Sequence, residues 1–158
     1  MQYGEDRFLK RCAASGIDGL IIPDLPLHEY EASFKSKAEA LGLVFSFLIT
    51  PQTPESRILE IARLSSGFVY MVSSASITGA KAGISASQVA YFERIEAMNL
   101  AQPKLIGFGI SDKDSFQTAC RYAHGAIIGS AFIKALGEGG GAAEVARGFV
   151  EGIKTAAR

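Results

Sequence analysis

The feature that most constrains the fold of this chain is a regular alternation of short apolar runs with longer amphipathic stretches. Residues 19–22 form a continuous apolar run that Pro23 stops, which is typical of a strand buried on both faces. The next stretch ends at Gly42 and carries apolar residues three or four positions apart, the spacing of one helix face: Leu27, Tyr30, Phe34, Ala38 and Leu41.

This strand–helix unit recurs to the end of the chain, with one further helix predicted in front at residues 5–15. The five predicted strands are 19–22, 43–49, 68–72, 104–108 and 126–128. Thr53 and Ser111 are the predicted N-caps of two of the helices, with Pro54 as the first helical residue after Thr53. Apolar strands that alternate with amphipathic helices indicate a parallel α/β sheet, and both an open sheet and a (β/α)₈ barrel fit the pattern.

Composition excludes several classes of function. The 158 residues carry 16 basic and 16 acidic side chains, so bulk charge gives no reason to expect nucleic acid or an anionic membrane as a partner. No apolar run approaches the ~20 residues of a membrane-spanning helix, and a cytoplasmic protein is expected. Cys12 and Cys120 show no ligand spacing, which predicts buried, reduced thiols on helices and no metal site.

Two glycine-containing segments follow the last two predicted strands. Residues 107–111 read Gly-Phe-Gly-Ile-Ser and residues 128–131 read Ile-Gly-Ser-Ala. Glycine at a strand tip lets backbone N–H groups approach an anion, and a helix N-terminus adds a favourable dipole. In barrels, the loops after the last two strands and a short extra helix bind phosphate, and residues 130–136 are short enough to be that helix. The pattern therefore predicts one domain, residues 1–158, that is a partial barrel without the first three strands.

Four segments resemble the tryptophan synthase alpha chain, in the same order and spacing. Residues 16–26 are similar to the segment around its fourth strand, and residues 70–79 to its sixth strand and the mobile loop that follows. Residues 107–111 and 129–131 resemble its phosphate-binding tips. The resemblance covers essentially the whole chain and places Met1 just after the third strand of the family. It implies the C-terminal five βα units of a TIM (β/α)₈ barrel, the fourth to the eighth strands, preceded by one helix.

The resemblance also implies an activity. The family cleaves indole-3-glycerol phosphate to indole and glyceraldehyde 3-phosphate, a step in tryptophan biosynthesis that needs no metal or cofactor in the alpha chain. A beta chain, which holds pyridoxal phosphate, then uses the indole within an alpha2beta2 tetramer. The family's catalytic Glu and Asp would both precede Met1, so no catalytic residue is assigned here. The 158-residue chain alone is expected to be inactive.

Site roles follow from the resemblance residue by residue. The substrate phosphate would be held by Gly107, Phe108, Gly109, Gly129 and Ser130. Tyr70 would contact the glycerol portion of the substrate. Thr78 and Gly79 would close the loop over the site, and Asp24 would position loops at the barrel top. Each residue also has a simpler interpretation. Tyr70 could be a core aromatic, Thr78 and Gly79 part of an ordinary flexible loop, and Asp24 a residue that shapes a turn.

Other functions remain open at this point. The chain could be a non-catalytic phosphate-binding barrel fragment. It could also be another phosphate-binding barrel enzyme, such as indole-glycerol-phosphate synthase or a ribulose-phosphate epimerase. The Pro23-Asp24-Leu25-Pro26 segment, combined with the loop after the third predicted strand, disfavours these enzymes. His28 and His124 have no paired acid or nucleophile in a motif and are predicted to lie at a helix start and in a turn.

Overall fold

The structure of the chain is a computed structural model that describes residues 3–73, 84–107 and 109–154. Strands and helices alternate along most of the described residues. The strands are β1 (Gly19–Leu20), β2 (Val44–Phe45), β3 (Phe47–Ile49), β4 (Val69–Val72), β5 (Lys104–Gly107) and β6 (Gly125–Ile127). The helices are α1 (Glu5–Ala14), α2 (Leu27–Glu29), α3 (Lys35–Ala40), α4 (Glu55–Leu64), α5 (Ala86–Ala97), α6 (Lys113–Tyr122), α7 (Ser130–Gly137) and α8 (Ala142–Lys154).

Each of the five predicted strands has a counterpart in the structure, but β1 covers only Gly19–Leu20 of the predicted 19–22, and the strand predicted at residues 43–49 is divided into β2 and β3 at Ser46. The Ser46 N–H donates to the Leu20 carbonyl oxygen at 3.1 Å, and the Ser46 hydroxyl accepts from the Phe68 N–H at 3.0 Å. Ser46 is therefore hydrogen-bonded to two other segments of the chain. The local sequence pattern around Ser46 does not indicate these hydrogen bonds.

The amphipathic helix predicted from Leu27 onward is present as α2 and α3, joined by one π-helical turn at Tyr30–Phe34. Tyr30 and Phe34 on this turn are both buried. Helix α3 ends before Gly42, whose φ of +71° lies in the left-handed region that favours glycine. The predicted stop signal is therefore confirmed.

Both predicted N-caps are wrong by one residue. Pro54, not Thr53, caps α4, because its backbone is extended with ψ of 153° and the helix begins at Glu55. Asp112, not Ser111, caps α6, because the Asp112 carboxylate accepts from the Ser115 N–H at 2.8 Å. A carboxylate accepts this bond more strongly than a hydroxyl does, and it also suits the positive end of the helix dipole.

The strands form two hydrogen-bonded sheets. Strands β1 and β2 pair in parallel, with Gly19 opposite Val44. The other sheet has the order β3-β4-β5-β6, and β5 pairs with β6 in parallel, with Leu105 opposite Gly125 and Gly107 opposite Ile127. Parallel pairing between consecutive strands that a helix separates is the arrangement of βαβ units.

The chain divides into two compact units, and the single-domain assignment stays a prediction. The first unit comprises Met1–Ile49, Thr53–Tyr70 and Ala101–Pro103. An aromatic cluster lies in its core, where the Tyr30 ring is 4.7 Å from that of Phe45 and 4.9 Å from that of Phe47, between centroids. Packed aromatic rings of this kind contribute both buried area and favourable ring geometry.

The second unit comprises Thr50–Gln52, Met71–Leu100 and Lys104–Arg158. Its buried core includes Met71, Phe92, Ile95 and Ile106, each fully shielded from solvent. By contrast, β6, α7 and α8 contain no buried residue. Burial therefore decreases toward the end of the chain.

The two cysteines differ in environment. Cys12 lies buried on α1, as predicted, but Cys120 on α6 is exposed, so the prediction of two buried thiols is wrong for Cys120. Both thiols are free. Among residues 3–73, 84–107 and 109–154, no helix is long and apolar enough to cross a membrane. The same residues contain no cluster of three or more His, Cys, Asp or Glu side chains suited to a metal ion.

Candidate phosphate-binding site

The two glycine tips lie at the same end of the β5–β6 pair. Gly107 is the last residue of β5 and stands opposite Ile127, the last residue of β6, and Gly129 follows two residues later. The Gly107 carbonyl oxygen accepts from the Ser73 N–H at 3.0 Å, so the residue after β4 reaches the same edge. The carboxyl ends of parallel strands are where ligands bind in α/β folds.

Backbone conformation explains the glycine at position 109. Its φ is +76°, in the left-handed region, and a Cβ added there would lie 3.6 Å from the Ser73 Oγ, an ordinary contact distance. The constraint is therefore one of backbone dihedral angle and not of space. Gly109 turns the chain away from β5 and leaves its own backbone exposed.

Gly129 has a different role, because its φ of −104° is accessible to any residue. A Cβ built at this position meets no heavy atom of the described chain within 4 Å. Glycine here leaves an open approach to the N-terminus of α7, of which Gly129 is the N-cap and Ser130 the first residue.

The N-termini of α6 and α7 are not equivalent. At α6, Asp112 and Ser115 form a reciprocal capping box, with the Asp112 N–H donating to the Ser115 hydroxyl at 3.2 Å. Hydrogen bonds from the Ser115 N–H and hydroxyl lower the pKa of the Asp112 carboxyl, so this helix end already carries its own anion at neutral pH. At α7, within the part of the chain that the structure describes, no side chain caps the first turn. The first-turn N–H groups of a helix have no partner within the helix, so the N-terminus of α7 and its positive dipole end suit an external anion.

Two other residues with predicted roles belong to the first unit. Tyr70 lies on β4 between the buried residues Val69 and Met71 and is itself half-buried, so its side chain occupies the opposite face. Burial raises the pKa of the Tyr70 hydroxyl. Asp24 is exposed in the turn after β1, which the Leu25 N–H closes on the Ile22 carbonyl at 3.1 Å. The functional roles of Tyr70 and Asp24 stay predictions.

Three residues with predicted roles, Phe108, Thr78 and Gly79, lie outside the described residues. The roles of Gly107, Gly109, Gly129 and Ser130 in holding phosphate are likewise predictions, although the structure brings all four to one edge of the second unit.

Sequence reasoning missed Ser73 as part of this edge. Its side chain is fully buried, its N–H bonds to Gly107, and its hydroxyl faces the Gly109 turn. The sequence signal that could have identified Ser73 was its position directly after β4.

The structure also shows the role of His124. Its backbone N–H donates to the Lys104 carbonyl oxygen at 2.9 Å, and its ring Nδ1 accepts from the Lys104 backbone N–H at 3.2 Å. These bonds join the starts of β5 and β6, at the end opposite the glycines, which is a structural role.

Comparison with known proteins identifies the family. The family model described as tryptophan synthase alpha chain matches residues 1–156. The chain belongs to the tryptophan synthase alpha chain family. A curated alpha chain from Flavobacterium johnsoniae is 56% identical over 140 residues, which cover 89% of this chain and 55% of that protein. One from Parabacteroides distasonis is 47% identical over 154 residues, covering 98% and 60%. The chain thus spans about half the length of the curated relatives it matches.

Solved structures give the same result for the fold. The tryptophan synthase complex from Pyrococcus furiosus contains a chain that superposes with a TM-score of 0.79 and 30% identity, covering 96% of this chain and 60% of that one. The tryptophan synthase subunit alpha from Campylobacter jejuni superposes with a TM-score of 0.77 and 25% identity, over 96% and 60%. The predicted TIM-barrel fold class is confirmed. Family membership also decides against the alternative assignment to indole-glycerol-phosphate synthase.

Proposed function

We propose that this chain supplies the phosphate-binding part of an enzyme that cleaves indole-3-glycerol phosphate to indole and glyceraldehyde 3-phosphate, in the cytoplasm and within tryptophan biosynthesis. The observation that supports it most is the shared edge at which the Gly109 turn and the N-terminus of α7 lie, where no described side chain caps the helix. A phosphate there meets backbone N–H groups and the positive end of a helix dipole, without needing a basic side chain.

Phosphate binding by itself does not accelerate cleavage. The phosphate is remote from the bond that breaks and is held equally in substrate and transition state, so it lowers KM more than it raises kcat. Cleavage further needs an acid that protonates the indole ring carbon and a base that takes the proton of the glycerol hydroxyl. Carboxyl groups with separated pKa values suit these two roles.

Asp112 is the acid that follows the Gly107–Ser111 segment, and it does not fit either role. Its carboxylate accepts from the Ser115 N–H and hydroxyl, both at 2.8 Å, and these bonds lower its pKa. The group is therefore ionised at neutral pH and has no proton to donate, and its lowered pKa also makes the carboxylate a weak base. We propose that the catalytic Glu and Asp belong to the part of the family barrel that precedes the residue equivalent to Met1.

The remaining assignments extend the same proposal. Tyr70 contacts the glycerol portion of the substrate, and Thr78 and Gly79 close over it. No cofactor is used in this step. The exposed Asp24 turn helps to position the loops and to meet a tryptophan synthase beta chain, in an alpha2beta2 tetramer with pyridoxal phosphate on the beta chain. The Pyrococcus furiosus neighbour, described as a tryptophan synthase complex, supports a partner of this kind.

The phosphate proposal is tested with glycerol phosphate and the full chain, followed by amide chemical shifts. We expect shifts at Gly109, Gly129 and Ser130 with millimolar ligand. In Ser130→Asp, a carboxylate occupies the first position of α7, which favours the helix but repels the phosphate, so binding should be lost. Ala142→Asp adds the same charge at the first residue of α8 and is the matched control. Equal binding by the two variants would contradict the proposal.

A further inference from the structure

The segment between β5 and α6 is held by hydrogen bonds at both of its ends. At the first end, the Gly107 carbonyl oxygen accepts from the Ser73 N–H at 3.0 Å. At the second end, the backbone N–H groups of Ser111 and Asp112 both donate to the hydroxyl of Ser115, each at 3.2 Å. A single side chain on α6 therefore holds the last two residues of the segment.

The hydrogen bonds of the Ser115 hydroxyl go to the end of this segment. A hydroxyl has two lone pairs that accept and one proton to donate. The lone pairs accept from the N–H groups of Ser111 and Asp112, and the proton is donated to the Asp112 carboxylate at 2.8 Å. Ser115 is only 2% exposed, so these bonds lie away from bulk water, where a lost hydrogen bond is most costly.

Between its two ends, the segment has a buried residue and an exposed one. Ile110 is only 5% exposed, so its side chain is anchored within the second unit. Gly109, by contrast, is exposed and has a φ of +76°. The direction of the exposed Gly109 backbone is therefore set by the fixed residues before and after it.

We propose that Ser115 is a positioning residue of the phosphate site, which orients the Gly109 backbone toward the ligand by holding Ser111 and Asp112. The inference rests on the proposed function, because it assigns a further residue to the same site. The buried Ser115 hydroxyl does not contact the phosphate itself. A backbone that is ordered before the ligand arrives loses less conformational entropy on binding, so the affinity is higher.

The main cap of α6 does not depend on the Ser115 hydroxyl. The Asp112 carboxylate caps the helix by accepting from the backbone N–H of Ser115 at 2.8 Å, and every residue except proline supplies such an N–H. The hydroxyl instead bonds backward along the chain, to the N–H groups of Ser111 and Asp112. Removal of the hydroxyl alone therefore tests positioning and leaves this cap bond in place.

The test titrates the full chain and its variants with glycerol phosphate and follows amide chemical shifts. In Ser115→Ala, the affinity should fall about three- to tenfold, because two hydrogen bonds to the segment are lost. The ligand-induced shift of Gly109 should decrease most, whereas Gly129 and Ser130 at the start of α7 should still respond. Alanine is a strong helix former, so α6 should remain folded, and circular dichroism checks this.

Two further variants separate positioning from a general effect on α6. Ser115→Thr keeps a hydroxyl at the same position and should restore most of the affinity. Thr118→Ala removes the hydroxyl that donates to the Asp114 carbonyl oxygen at 2.9 Å on the same helix. It is the matched control and should bind glycerol phosphate as the unchanged chain does.

The outcomes distinguish this inference from the proposed function. If the unchanged chain does not respond to glycerol phosphate, both are wrong. If it responds and Ser115→Ala has the same affinity, the inference alone is wrong, and a lower melting temperature of that variant would assign the hydroxyl to stability only. Equal weakening by Thr118→Ala, or no recovery in Ser115→Thr, would also overturn the inference, because the effect would not belong to the Ser115 hydroxyl.

Discussion

Helices α4 and α8 have similar amphipathic patterns, but only α4 has a buried face. Helix α4 in the first unit buries Ile58, Ile61, Ala62 and Leu64, whereas α8 in the second unit buries none of its 13 residues. Full burial of one large aliphatic side chain is worth about 1.5–3 kcal/mol. The comparison shows that an amphipathic pattern makes a face available, while a neighbouring element decides whether that face contributes to stability.

The largest expected effect concerns catalysis, since we propose that the acid and the base of the reaction belong to the part of the relatives that this chain does not match. The 158-residue chain alone should release no indole from indole-3-glycerol phosphate. Adding the separately expressed unmatched part of the Flavobacterium johnsoniae relative should restore partial turnover if the two parts dock. Indole release measures both reactions. Turnover by the chain alone would show that an acid within it performs the chemistry.

The next effect tests the burial difference directly. Ile58→Ala on α4 should lower the free energy of unfolding by about 2–5 kcal/mol, because the side chain is fully buried and its removal leaves a cavity. Val150→Ala on α8, at a half-exposed side chain, should change it by no more than about 0.5 kcal/mol. Urea denaturation of both variants provides the comparison, and similar losses would show that α8 is covered in solution.

A smaller difference is expected between the two glycine tips. Gly109→Ala should cost about 1–2 kcal/mol, because φ of +76° is unfavourable for a residue with a Cβ. Gly129→Ala should be nearly neutral in stability, because its φ is ordinary and the space around it is open. Thermal unfolding distinguishes them. An equal cost at both positions would mean that crowding, not the backbone angle, selects glycine.

The smallest effect concerns the capped end of α6. Asp112→Ala should lower stability by about 1 kcal/mol at neutral pH, through loss of the cap. The folded-state pKa of Asp112 is lowered from 3.8, so its contribution is present above that value and is lost as the pH falls through the folded pKa. The group is largely exposed, so solvent screens the effect. Urea titrations should therefore give a smaller difference between variant and unchanged chain at acid pH than at pH 7.

The local elements and their order follow from the sequence. Continuous apolar runs bounded by glycine or proline are sufficient for strands such as β1, and apolar residues three or four apart are sufficient for the helical segment from Leu27 onward. Gly107 and Gly129 were placed at one end by sequence because both follow strands of the same direction, and the β5–β6 register agrees. These features depend on residues close in the chain, where backbone sterics and side-chain spacing act directly.

Features that depend on residues distant in the chain were decided only by the tertiary structure. Ser46 lies between β2 and β3, within one predicted strand, and its hydrogen-bond partners Leu20 and Phe68 are distant in the chain. Ser73 joins the candidate site because its N–H meets Gly107. Cys120 is exposed although α6 is amphipathic. Side-chain period fixes which residues share a face, but burial and hydrogen-bond partners arise from elements brought together in space, and one-dimensional spacing carries no record of those distances.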